Sequence, residues 1–176
     1  MLARRRASTL LVLGVLLLAG CAGEAAVFGP SVSPSPSSSP PSDEELAFRA
    51  AEETYRAYVD ALNEVDLADP STFEPVFALT TGDVNAADRR NLDHYHAERV
   101  QLAGDMRVLS LEGARLTADT VSVGVCLDVS NVSLTSPDGS SLVDPNRAPL
   151  QSLEVSLERS TPSRISQIAA ANEEQC

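Results

Sequence analysis

The sequence predicts an α+β domain in which three amino-terminal helices pack on one face of a curved antiparallel sheet. Two observations carry this expectation. From Phe48 to Leu102 apolar side chains recur at intervals of three and four, the period of a helix buried on one side. After Gly104 the period changes to two, the alternation of a strand. Helices first and strands afterwards point to segregated layers rather than alternating βαβ units.

The first helix has the clearest start. Ser42 can cap it, and Glu45 lies three residues on, the spacing of a capping box. Asp43, Glu44 and Glu45 complement the positive end of the helix dipole. Phe48, Ala51, Tyr55, Tyr58, Leu62 and Val65 form one apolar stripe, and Glu52, Glu53, Asp60 and Glu64 fall mostly outside it as a solvated face. A short second helix is expected over 71–80: Asp69-Pro70 starts it, Phe73, Val76 and Phe77 are its buried side, and Gly82 stops it. A third is expected over 85–103, with Leu92, Tyr95 and Leu102 inward and Gly104 as its stop.

The strongest strand is Val121–Val129, whose odd positions are all apolar and whose even positions are small or polar. Beyond it Val132 and Leu134 occupy even positions, a slip that a β-bulge near Ser130-Asn131 would explain. Pro137-Asp138-Gly139 reads as a turn. Leu153, Val155 and Leu157 mark a further strand, and 163–170 one more. No internal repeat is visible.

Ahead of this domain, residues 1–20 read as a secretory signal. Arg4, Arg5 and Arg6 precede the apolar run Leu10–Leu18, which is too short for a permanent span of roughly 20 residues. Leu18-Ala19-Gly20-Cys21 resembles the bacterial lipobox. That resemblance implies cleavage before Cys21 and a diacylglyceryl group on its thiol, and two acyl chains suffice for stable anchoring at the outer face of the cell membrane. Ala7-Ser8-Thr9 after the arginines argues against twin-arginine export. Residues 22–42 contain five prolines and seven serines. With so few large apolar side chains, the 21–42 segment reads as a tether, spanning about 27 Å if flexible and about 65 Å if extended. Residues 43–176 then make one domain of ordinary size.

Composition limits the partners. All thirteen basic residues are arginines, three of them within residues 1–20, against twenty-five acids, so residues 21–176 carry a formal charge of −15. Such a surface repels phosphate backbones, which excludes nucleic acid as the expected partner. The lack of lysine beside abundant Ala and Arg suggests a high-GC, actinobacterial genome. With Cys21 committed to lipid, Cys126 and Cys176 remain. An even pair in an exported chain favours a disulfide over two free thiols, and their spacing lacks any metal-binding pattern.

Taken together, the long capped helix with its tyrosines, the short helix closing in Thr80-Thr81-Gly82-Asp83, and the strand Val125–Ser130 followed by a turn at Asp138-Gly139 resemble a cystatin or nuclear transport factor 2-like cone. The pattern is similar to that of a group of actinobacterial lipoproteins and secreted proteins. The fold hosts isomerases, hydrolases, ligand binders and interaction domains, so function must be argued from the site. Ketosteroid isomerase-like members use a tyrosine and two carboxyl groups inside the cone. The resemblance implies Tyr55 or Tyr58 as candidates here. Asp128 is the nearest strand carboxylate, but it shares the even face with Ser122 and Cys126, away from the valines. An acid such as Asp83 at the cavity mouth is the other possibility.

Other chemistry lacks support in the sequence. His94 and His96, two apart on a helix, point about 200° from one another and cannot chelate one ion. There is no nucleophile motif, no phosphate loop and no lysine for a Schiff base. The expectation is therefore a non-catalytic module, without cofactor or metal, that binds an envelope protein or a small apolar ligand, with Tyr55 and Tyr58 as candidate contacts. A cone-type isomerase or hydrolase is the alternative. A buried carboxylate in the cavity would favour the enzyme, and a cavity filled by its own side chains the binding module.

Overall fold

In the computed structural model, which describes residues 40–171 and residue 176, a first helix α1 runs from Asp43 to Asn63. The predicted signal, Cys21 and nearly all of the tether lie outside the described residues. The capping box forms: the Glu45 amide donates to Ser42 Oγ (3.2 Å), and the Ser42 amide donates to Glu45 Oε2 (2.7 Å). Ala51, Tyr55 and Tyr58 are buried as the stripe predicts, with Phe48 and Leu62 half-buried at its ends. Val59 and Ala61 widen the stripe, and Val65 is buried just beyond the helix. Asn63 fastens the far end, its side chain exchanging hydrogen bonds with both the amide and the carbonyl of Met106 (2.9 and 3.0 Å).

After Asp69, whose side chain accepts from the Ser71 amide, a 3-10 turn Pro70–Phe73 leads into the short α2, Glu74–Ala78. Phe73, Val76 and Phe77 are buried, as expected. Gly82 does not end this helix. The chain first docks on the sheet: Thr80 and Ile165 form a parallel bridge, with Thr81 N donating to Ile165 O (2.8 Å) and Ile165 N to Leu79 O (2.9 Å). Gly82, at φ +56°, then opens α3, Gly82–Ala97. That helix begins and ends earlier than the expected 85–103. Its end is a Schellman reversal built on arginine: Arg99 has φ +56°, Arg99 N donates to His96 O and Val100 N to Tyr95 O. Leu92 is buried and Tyr95 half-buried, but Leu102 belongs to the following strand, β1 (Gln101–Ala103). Gly104 therefore stops no helix. Its φ is +80°, and a Cβ there would lie 1.9 Å from the Asn131 carbonyl oxygen, so a close backbone approach requires the glycine.

The main sheet has four antiparallel strands in the order β2 (Arg107–Leu116), β3 (Thr120–Asp128), β5 (Leu150–Glu158), β6 (Arg164–Ala170). A separate antiparallel pair joins β1 to β4 (Ser133–Thr135). Among the described residues the fold class is thus α+β, with three α-helices and antiparallel sheets. Val121, Val123, Val125 and Leu127 of β3, with Val155 and Leu157 of β5, form the buried floor beneath α1. Each such side chain contributes about 1.5–3 kcal/mol on leaving water. The phase slip at Ser130-Asn131 is not a bulge. β3 ends at Asp128, Val132 N donates to Val129 O in a turn, and the chain passes to the other sheet. The register shifts lie in β2, between Val108 and Ser110 and between Gly113 and Arg115, and in the pairing of β5 with β6, between Ser156 and Leu157.

Candidate functional site

Tyr58 projects from the buried stripe of α1. On α3, Val84, Asp88 and Leu92 follow one another at intervals of four and so share one face. Tyr58, Asp83, Val84, Ala87 and Asp88 line one side of a groove of about 510 Å³, and Ser166, Gln167 and Ile168 of β6 line the other. Burying the apolar face of α3 therefore carries the Asp88 carboxyl below the surface. The Tyr58 hydroxyl donates to Asp88 Oδ1 at 3.1 Å, while Asp88 Oδ2 is buried with no hydrogen-bond partner. Burial is the main cause that raises the Asp88 pKa above its ordinary range, opposed by the Tyr58 hydroxyl and by that of neighbouring Thr80. Burial, and then the Asp88 charge, also push the Tyr58 hydroxyl up, so it remains a neutral donor at physiological pH. Asn85 braces the surround: its side-chain amide donates to Phe77 O (2.7 Å) and to Thr80 Oγ1 (3.0 Å), joining the start of α3 to the end of α2.

Of the two tyrosines singled out by the resemblance, only Tyr58 reaches this groove. Tyr55 is 1 % exposed in the core, its ring 6.2 Å from that of Tyr58, and burial raises its pKa. Ala51, Tyr55, Val123, Val155 and Leu157, each at most 1 % exposed, fill the space between α1 and the sheet. Asp128 lies on the even face of β3, opposite the valines. Hydrogen bonds from Ser130 and then Arg107, whose Nη2 is 2.7 Å from Asp128 Oδ2, hold its pKa down at about 2. So strong an acid is a poor proton acceptor at neutral pH. Asp83 lies at the groove, in the first turn of α3 rather than in a loop.

The histidines do not converge. His96 Nδ1 donates to Leu67 O at 2.7 Å, whereas His94 is exposed beside Tyr95. Among the described residues no group of His, Cys, Asp or Glu is placed to hold a metal ion. No helix among them is long and apolar enough to cross a membrane. Cys126 and Cys176 stand at disulfide distance, with Cα atoms 5.0 Å apart. Ser152 of β5 pairs with Cys126 on one side and accepts from Ala171 N.

Asp88 is the residue that reading the sequence missed. Its signal was present: it stands four after Val84 and four before Leu92, a carboxylate inside an apolar stripe. The neighbouring Asp83, Arg89, Arg90 and Asp93 made the helix look evenly polar there.

No protein-family model matches the sequence, and no curated protein matches it. Solved structures do resemble the fold. The intermembrane space region of the chloroplast protein ARC6 superposes with a TM-score of 0.51 at 13 % identity, over 76 % of this chain and 100 % of that one. A candidate aromatic ring hydroxylase from Novosphingobium aromaticivorans gives 0.49 at 12 % identity, over 74 % and 97 %. Aln2 from a Streptomyces species gives 0.43 at 16 % identity, over 74 % and 93 %. At this identity the ARC6 superposition shows a shared fold and nothing about activity.

Proposed function

We propose that the chain is an exported lipoprotein, held at the membrane through Cys21, whose nuclear transport factor 2-like cone binds a ligand rather than transforming one. The observation that carries the binding reading is the packing between α1 and the sheet. Tyr55 and the aliphatic side chains around it occupy the space where a cone enzyme would hold its substrate. Among the grooves that stay open, the one beside Tyr58 and Asp88 joins a buried carboxyl to the apolar walls Val84, Ala87 and Ile168. Lipobox, apolar run and Pro/Ser-rich tether support the anchored, extracytoplasmic location.

One observation favours the enzymatic alternative: a buried carboxyl with a raised pKa, hydrogen-bonded to a tyrosine, is the kind of pair that transfers protons. The test is an assay of the full-length chain, in non-ionic detergent, on a ketosteroid and on activated esters. The binding reading expects no turnover above the uncatalysed rate. Turnover abolished by both Asp88→Asn and Tyr58→Phe, with circular dichroism unchanged, would replace it with the isomerase-like one.

A further inference from the structure

We propose that the groove between α1, α3 and β6 is a recognition site for a small organic cation with an apolar body, its ammonium or guanidinium group held by Asp88, Asp83 and the Tyr58 oxygen. The proposal rests on the groove being the binding surface and adds the chemical class of what it takes. Three observations converge on that class. Asp88 Oδ2 is desolvated and makes no hydrogen bond of good geometry, so the neighbouring Thr80 hydroxyl only partly replaces the water it has lost. Leaving such a group unmade is costly, and a charged donor recovers more than a neutral one. Rotation about χ2, which is soft in aspartate, can turn either carboxyl oxygen toward an arriving group.

Acceptors also dominate the surroundings. Tyr58 spends its proton on Asp88, which leaves its oxygen free to accept. Asp83 places a second carboxylate at the groove. None of the residues lining it is basic, so nothing there competes for the acids. Opposite them β6 contributes Ser166, Gln167 and Ile168, none of which titrates. Val84, Ala87 and Ile168 supply apolar contact for the body of the ligand. The strongly acidic chain, −15 over residues 21–176, raises the local concentration of such cations.

Benzylammonium and agmatine are suitable probes, with benzyl alcohol as the neutral isostere of the first. Each is titrated calorimetrically into the full-length chain in non-ionic detergent. The expected result is saturable binding of a cation, at least about ten-fold tighter than benzyl alcohol. Asp88→Asn, which keeps the shape of the side chain and its bond from Tyr58, should weaken the cation by a similar factor, and Asp83→Asn by less. A cation needs the ionised carboxylate, so its affinity should fall as pH drops from about 7 toward 4 while that of benzyl alcohol stays level. Cation binding that Asp88→Asn leaves intact, or no saturable cation binding, would overturn the proposal. Equal affinity for benzyl alcohol and benzylammonium would overturn the charge class while sparing the groove as a binding surface. Substrate turnover lost in Asp88→Asn would instead sink the binding reading itself.

Discussion

Two carboxyl groups in this fold have been driven in opposite directions, and stability should record both. Burial raises Asp88, so the folded state holds its proton more tightly than the unfolded chain does. Its contribution is fully present below the ordinary value of 3.8 and is lost as pH climbs through the raised folded value. Asp128, lowered to about 2 by Ser130 and Arg107, has the reverse sign: its contribution is present above 3.8 and lost as pH falls toward about 2. Urea denaturation between these limits, repeated on Asp88→Asn and Asp128→Asn, checks the two signs. Asp88→Asn should remove the loss on the alkaline side, and Asp128→Asn the loss on the acid side. A pH profile unchanged in Asp88→Asn would mean the carboxyl titrates normally. At this scale the sequence was half legible. The even-face placement of Asp128 followed from alternation, whereas Asp88 was hidden because its neighbours in sequence are charged and its neighbours in space come from α1 and β6.

Elements were legible where one local rule decided them and obscure where the chain used an unusual residue for a common job. Ser42 and Glu45 announced the start of α1, and the valines announced β3. Replacing Ser42 with Ala should cost about 1 kcal/mol in chemical denaturation, because one helix-end donor loses its acceptor. The end of α3 is hard to read because its left-handed residue is Arg99 and not glycine, so the pattern points past it to the next glycine, Gly104. Gly104 answers a different need. Gly104→Ala must combine a positive φ with a Cβ set against the Asn131 carbonyl, and should destabilise the domain by at least about 1–3 kcal/mol. A variant as stable as the parent would show that the turn between β1 and β2 can move aside. β2 escaped notice because its two register shifts break the alternation that reveals strands. Its Leu109, 53 % exposed, breaks the pattern further, and Gly113 leaves room for the Phe48 ring above it.

At the scale of the whole molecule, the proposed protein is an acidic domain joined to a membrane by lipid and tether. The order of helices and strands, and hence the fold class, followed from the change in period. The groove did not, because its walls are distant in sequence. If Cys126 and Cys176 form a bond, it closes a loop across 50 residues, worth about 4 kcal/mol on the chain-entropy model. Thiol counting on a denatured, unreduced Cys21→Ser chain should find no free thiol; two would rule the bond out. The anchor is the claim on which the functional setting depends, and detergent phase partitioning of the protein from its native host tests it most directly. The wild-type chain should enter the detergent phase, whereas Cys21→Ala should remain unprocessed and incorporate no labelled acyl chain. Wild-type protein recovered in the aqueous phase, with a free Cys21 thiol, would contradict the anchor.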